Sequence, residues 1–459
     1  MDDTRQLTRF ERLLSLVTSV QPGEGRCVAA LCTQALTLMT AYYLVRPVRE
    51  ALILTQGGAE LRSYAVGAQA LLLILIIPAY GALVRNVDTS RVFQRVNGFF
   101  ALNLLVFFLL GRAGVNFGFA FFVWTSIFGV MTVTQFWAFA TDLFNVKSGQ
   151  RLFGVLAIGI SAGAWLGSRL ASAGFETVGP YGLMLGSAAV LIGAIALSRW
   201  SRASVPAASR SEPAPEEQLH ATRDGAARWL GGFALIARSR YLVGIAALVL
   251  LLNWITSTGE FVLSDWLAQT ARETAPGAPT AFIGHFMSNY CASITLVGFF
   301  IQLLLVSRII VKAGLTRALL VTPIAFVAGY LLIGIVPVFA LLQSVLVVQR
   351  SLDYSLLNTS RSALLLPTSR EVKYQAKTTI DTFFYRLGDL LSTLTVFIGV
   401  RVFSAPRTQL IWLIVVLSAT MTLVAWLIGR EYARRFSTER EPSVARPTRG
   451  RARGVVFQQ

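Results

Sequence analysis

Cys27-Val-Ala-Ala-Leu-Cys-Thr-Gln-Ala-Leu-Thr-Leu-Met-Thr-Ala-Tyr-Tyr-Leu-Val45 contains no charged residue, and neither does the stretch from Ser63 to Val84. A helix of about 20 apolar residues crosses a hydrocarbon core of roughly 30 Å. Each of these stretches is therefore long enough to span a membrane. The rest of the chain has the same character. Its 459 residues are 54% hydrophobic and only 14% charged, with a mean hydropathy of +0.61. Soluble globular chains carry about 25% charged residues. An intrinsically disordered chain and a single soluble domain are both excluded, and an all-α polytopic membrane protein is expected. The first apolar stretch follows a polar leader and is long enough to stay as an anchor rather than act as a cleavable signal.

Charged punctuation divides the chain into twelve predicted spans. Six lie near 27–45, 63–84, 96–111, 117–141, 152–174 and 181–198. Six more lie near 241–265, 286–307, 316–334, 335–357, 378–402 and 408–429, and the division at Ile333–Val338 rests on Pro337 alone. The net charge of +18 would suggest nucleic acid in a soluble protein. In a membrane protein it reads first as the positive-inside rule. With both termini cytoplasmic, and Arg317, Arg350 and Arg401 counted with the loops they adjoin, 32 Lys/Arg fall on the inside and 7, Arg62 among them, on the outside, while Arg169 and Arg386 fall within spans. Shifting the frame by one span would invert that bias.

The segment 200–240 is rich in Ser, Ala and Pro at its start and carries Glu216 and Glu217. It reads as a mobile cytoplasmic linker between an N-terminal half (27–199) and a C-terminal half (241–429). Residues 1–26 form a cytoplasmic leader and 430–459 a basic tail suited to anionic headgroups. Two six-span halves joined by a polar linker match the parallel-repeat plan of major facilitator transporters. Cys27, Cys32 and Cys291 lack CxxC spacing, and His220 and His285 are the only histidines. No metal site or cofactor is expected, and no GxxxxGK[ST] phrase supports an ATPase motor.

Ionisable groups at membrane depth are costly, so they usually face a bundle interior or an aqueous cavity. Arg46, Arg49 and Glu50 end the first span in Leu44-Val-Arg-Pro-Val-Arg-Glu50, where Pro47 should break the helix and free carbonyls. Asp142 closes span four. Asn253, Glu260 and Asp265 lie along span seven, with Asn253 and Glu260 on one face. Thr368-Ser-Arg-Glu371 is a capping-box pattern that opens span eleven. Beyond it Lys373, Lys377 and Asp381 form an i+4 stripe, and Arg386 and Asp389 an i+3 pair. Lys and Arg there suit an anionic substrate. Glu50, Asp142 and Asp389 could couple or gate transport, although structural pairing between helices explains any one of these residues equally well. Gly159, Gly163 and Gly167, four apart in span five, make a flat face for helix packing.

Arg370-Glu-Val-Lys-Tyr-Gln-Ala-Lys-Thr-Thr-Ile-Asp381, with Arg386 and Gly388-Asp389, resembles the nucleotide transporters of the ATP/ADP antiporter family. Arg46-Pro-Val-Arg-Glu50, Gln135-Phe-Trp-Ala-Phe-Ala-Thr-Asp142 and Gln150-Arg-Leu-Phe-Gly154 are similar to that family's first, fourth and fifth helix motifs. Glu260 falls where the family places a glutamate. The chain departs from the family pattern at Arg49, where the family has lysine, and at Thr141, where it has asparagine. Ser264 and Asp265 stand where a basic residue usually follows the helix-seven glutamate.

The resemblance implies a secondary transporter of a nucleotide or related phosphorylated anion in a bacterial inner membrane, acting as a monomer without nucleic acid. It implies substrate contacts at Arg46, Arg49, Glu260, Lys373, Lys377, Asp381 and Arg386. Two other readings stay open. One is a proton-coupled facilitator of another organic solute, and the other is a non-transporting membrane scaffold. No nucleophile–base set points to an enzyme.

Overall fold

The computed structural model describes residues 11–12, 21, 24–84, 88–144, 146–204, 225–369 and 372–436. Among the described residues the chain is helical without a strand, and ten stretches are long and apolar enough to cross a membrane. Helix α1 (Gly25–Val84) carries the first two predicted spans as two arms, interrupted only at Gly58 (φ 70°, ψ −169°). Glycine adopts that positive φ without the Cβ penalty other residues meet.

The helix end expected at Pro47 does not occur. Pro47 is buried and helical, and the first arm runs through it. A proline removes one donor, but in a membrane bundle the neighbouring helices hold the remaining turns in place. Arg46, Arg49 and Glu50 therefore stand inside a continuing helix rather than at its end.

The first half continues with α2 (Thr89–Arg112), α3 (Gly118–Leu143), α4 (Val146–Thr177) and α5 (Gly179–Ala203). The second opens with the short α6 (Gly225–Arg238), then α7 (Arg240–Thr274) and α8 (Pro279–Phe300), which passes through a π-turn into α9 (Ser307–Ala313). Helix α10 (Leu315–Ile335) turns at 336–338 into α11 (Phe339–Leu352), extended by a π-turn (Asp353–Leu357) and α12 (Asn358–Leu364). The next crossing is composite, with π-turns Val372–Ala376, Ile380–Phe384 and Phe397–Val402 flanking α13 (Lys377–Thr379) and α14 (Tyr385–Val396). Helix α15 (Arg407–Phe436) ends the described chain. The first half thus has six helical segments, the two arms of α1 with α2–α5, and the second has six, of which α11–α12 is not among the ten stretches long and apolar enough to cross.

Helix α4 lies directly on the backbone of α1. A Cβ on Gly159 would come 2.7 Å from the carbonyl oxygen of Cys32, and one on Gly167 would come 2.7 Å from that of Thr40. Gly163 faces the carbonyl of Leu36, whose Cα would lie 2.7 Å from an added Cβ. The Thr40 hydroxyl donates to the Gly163 carbonyl at 3.2 Å. Helix α14 approaches α7 as tightly at Gly388, where a Cβ would meet the Leu250 carbonyl oxygen at 2.6 Å.

The two halves touch where α4 ends and α8 begins. Arg169 donates to Asn289 at 2.7 Å, Ser172 lies 3.1 Å from His285, and Phe175 packs on Gly284. The second arm of α1 meets α14 at the same end, where the Thr393 hydroxyl donates to the Ser63 carbonyl at 3.0 Å. At the opposite end, where α4 begins and α12 lies, a cleft of about 610 Å³ separates Arg151, Gly154 and Ile158 from Gln302, Asn358 and Thr359. The bundle is thus closed at one end and parted at the end where α5 finishes and α6 starts.

The 200–240 segment is not linker throughout. Helix α5 extends to Ala203, and α6 packs through Gly232 on Gln375 and Thr379 and through Phe233 on Phe383. Phe233 in α6 thus finds a helix face to cover, which the polar composition of 201–217 obscures. Residues 205–224, most of the 1–26 leader and the tail beyond 436 lie outside the described residues.

Candidate functional site

Helices from both halves enclose a central cavity of about 510 Å³. The first arm of α1 contributes Tyr42, Arg46 and Arg49, and the second arm contributes Arg62 and Gln69. Phe122 and Ser126 come from α3, and Asn253, Ser257 and Glu260 from α7. Arg350 of α11, Tyr354 of the following π-turn and Tyr385, Arg386 and Asp389 of α14 complete it. Tyr354 also lines the open cleft, so it stands between cleft and cavity.

Most of the charges form one chain of ion pairs. Glu50 accepts from Arg49 at 3.2 Å and from Arg62 at 2.6 Å. Arg62 also donates to one oxygen of Glu260 at 3.0 Å, and Arg350 donates to the other. Arg350 reaches Asp353 at 3.7 Å. This chain runs from the first half into the second through the Arg62–Glu260 contact. Removing one member of such a buried pair costs on the order of 3–5 kcal/mol, because its partner charge is left without compensation.

Beyond the chain, Arg49 donates to the Ser126 hydroxyl at 2.8 Å and sits over the Phe122 ring, 4.5 Å from its centre. Arg386 donates to Asp389 at 3.3 Å, and Ser257 donates to the same carboxylate at 2.6 Å. Asn253 donates to the Tyr385 carbonyl at 2.7 Å, which places it beside the π-turn that precedes α14.

Arg46 differs from the other four cavity arginines. It donates to the Tyr43 hydroxyl at 2.9 Å and lies 5.1 Å from that ring's centre. It has no carboxylate partner among the described residues. Five guanidinium groups (Arg46, Arg49, Arg62, Arg350, Arg386) thus face four carboxylates (Glu50, Glu260, Asp353, Asp389), and the excess cation is Arg46. An anion entering the cavity meets a guanidinium that can offer a bidentate fork at no cost in broken ion pairs.

The structure divides the residues singled out from sequence. Arg46, Arg49, Glu260, Arg386 and Asp389 line the cavity, and Glu50 stands behind it. Lys377 and Asp381 do not line it. Lys377 is exposed, and Asp381 pairs with Arg361 at 3.3 Å rather than with Lys377. The i+4 stripe assumed 3.6 residues per turn, whereas π-turns at 372–376 and 380–384 widen the spacing and rotate the charges apart.

The side chain of Lys373 lies outside the described residues, as do Arg370 and Glu371. The capping box that starts at Thr368 needs Glu371 and so lies outside the described residues. The Thr368 hydroxyl donates back to the Leu365 carbonyl, and the Ser369 hydroxyl accepts the Val372 N–H at 3.4 Å. Asp142 is exposed in the last turn of α3, and Asp265 pairs with Arg407 at 2.8 Å, both away from the cavity.

Two cavity cations were not singled out from sequence. Arg62 immediately precedes the uncharged stretch from Ser63 and was counted with an outside loop. Arg350 lies inside the predicted span 335–357, yet it was counted with the inside loop that follows. For Arg350, a charge within the bounds of a predicted span was the available signal. With Arg46, Arg49, Arg62 and Arg350 placed at the cavity, four of the loop charges in the 32-to-7 comparison belong to the site instead.

A two-part helical bundle with a charged cavity between its halves is a fold that known transporter structures share. The chain is similar to the nucleoside transporter NupG (13% identity, TM-score 0.63, 88% of this chain and 98% of that one). It is similar to a bacterial homologue of the human lysosomal transporter Spinster (12%, 0.59, 91% and 99%). It is also similar to the human organic anion transporter MFSD10 (17%, 0.54, 89% and 100%). The TLC ATP/ADP transporter family model matches residues 115–346, and the chain belongs to that family. No curated protein matches the chain in sequence. The family match covers Glu260, while Arg46, Arg49, Arg62, Arg350 and Arg386 lie outside it.

Proposed function

We propose that this transporter exchanges nucleotides of the ATP/ADP type, or closely related phosphorylated anions, by rocking its halves around the central cavity. The observation that carries the reading is the arginine excess, with Arg46 poised without a carboxylate partner. Guanidinium groups match phosphate oxygens in pairs, and Tyr42, Tyr354 and Tyr385 offer aromatic surface beside them. Family membership supports the nucleotide, and a cavity reached from only one end supports alternating access. The proton-coupled alternative is less well supported, because Glu50, Glu260 and Asp389 are each already committed to an arginine.

The test is a thermal-shift screen of purified protein against ATP, ADP, phosphorylated metabolites and uncharged solutes. A ligand at one hundred times its Kd stabilises the fold by about 2.7 kcal/mol. Nucleotides should raise Tm by several degrees, and uncharged solutes should not. Stabilisation by uncharged solutes alone would overturn the reading in favour of a proton-coupled facilitator.

The proposed setting is a bacterial inner membrane with both termini cytoplasmic, from the Lys/Arg bias. A thiol introduced as Ser211→Cys, in the segment outside the described residues, should react with an impermeant maleimide only after cells are permeabilised. Reaction in intact cells would reverse the orientation.

A further inference from the structure

Glu260 is held like a ligand. Its two oxygens are split between Arg62 of the first half and Arg350 of the second. A phosphate bridging the same two guanidinium groups would make the same contacts, so an anion and the Glu260 carboxylate compete for one seat. Behind Glu260 lie donors with nothing to bind. The hydroxyls of Tyr290 and Tyr330 and the amide of Gln349 have no hydrogen-bond partner among the described residues, and all three side chains are at least nine-tenths buried. Buried polar groups are normally satisfied, and those that are not call for an explanation.

Their positions supply one. The Tyr330 hydroxyl packs against Gly259, next to Glu260 in α7, so closely that a Cβ there would collide with it. Gln349 precedes Arg350, and its Nε2 would lie 3.2 Å from a Cβ on Gly329, the neighbour of Tyr330. Tyr290 and Tyr330 are both within electrostatic reach of Glu260 and Arg350.

We propose that Glu260 is an internal substitute for the substrate's anionic group with two seats. In the empty transporter it bridges Arg62 and Arg350. When a phosphate takes those arginines, it moves onto the Tyr290 and Tyr330 hydroxyls and the Gln349 amide. The move cuts the buried ion pair between the halves only when substrate replaces it, which ties the rocking motion to a loaded cavity. This rests on the phosphorylated-anion reading above and adds Arg62, Tyr290, Tyr330 and Gln349 as positioning residues.

Two measurements separate this proposal from that reading. The first needs no substrate. Spin labels at Ala157→Cys and Asn358→Cys, on opposite walls of the open cleft and in a background with the native cysteines replaced, report the separation of the halves by pulsed electron paramagnetic resonance. The unliganded parent should show one long distance, and Glu260→Gln should add a shorter population. Arg62→Gln cuts the same contact from the other side and should do likewise, which covers poor folding of the first variant. Parent-like distances in both variants would overturn the latch.

The second measurement is ATP binding by calorimetry. Glu260→Gln should bind about tenfold more tightly, since the competing carboxylate is gone. Tyr290→Phe/Tyr330→Phe should bind about tenfold more weakly with unchanged unliganded distances, because the displaced carboxylate loses its second seat. Equal affinity in the double variant would overturn the second seat. A parent that ignores ATP, ADP and phosphorylated metabolites would overturn the nucleotide reading, and the spin-label distances would still decide the latch.

Discussion

Replacing Arg46 with alanine should lower nucleotide affinity by roughly ten- to a hundredfold, and replacing it with lysine should lower it less. A charge-assisted hydrogen bond contributes about 1.5–3 kcal/mol, and about 1.4 kcal/mol is a factor of ten in Kd. Arg46 should bear that loss in full, because among the described residues its guanidinium has only the Tyr43 hydroxyl to give up when a phosphate arrives. Lysine keeps the charge but not the two-pronged donor geometry. Arg49→Ala should have the smaller effect on binding, since Arg49 is already shared between Glu50 and Ser126. Calorimetric titration of both alanine variants with ATP checks the order. An Arg46→Ala protein that binds ATP as the parent does would remove Arg46 from the substrate site and leave its charge a structural feature.

Gly163→Leu should abolish folded yield, and Gly163→Ala should already reduce it. The position faces backbone rather than a side chain, with the Leu36 carbonyl and Cα directly against the α4 surface. A flexible neighbour could rotate away, but a helix backbone can yield only by moving the whole first arm of α1. That arm carries Arg46, Arg49 and Glu50, so relief of the clash would also pull the cavity apart. Overpacking a tight site ordinarily costs about 1–3 kcal/mol and sometimes more, and a backbone collision belongs at the upper end. Size-exclusion chromatography of detergent-purified protein reads the outcome. A monodisperse peak at parental yield for Gly163→Leu would mean that α4 and α1 do not pack as described.

The helical membrane class was legible in the chain because it depends on local quantities. Uncharged runs long enough to cross a bilayer lie in the sequence itself, and Pro337 marks the turn between α10 and α11. Part of the cavity was legible for a related reason. Arg46, Arg49, Glu260, Arg386 and Asp389 are charges within or beside apolar runs, where water cannot solvate them and only a cavity or a partner can.

What sequence alone did not determine was which charges meet. Pro47 reads as a helix end, yet packing carries the first arm on to Gly58 and turns a terminal cluster into a cavity wall. The stripe of Lys373, Lys377 and Asp381 presumes a regular helix, yet the π-turns of that crossing set Asp381 against Arg361. Arg62 and Arg350 are nearly three hundred residues apart in numbering and look like loop charges. They become neighbours only because Glu260 holds both. Local hydrophobicity sets where a chain must be buried, but the pairing of buried charges depends on how distant helices dock, and docking is settled by the tertiary structure alone.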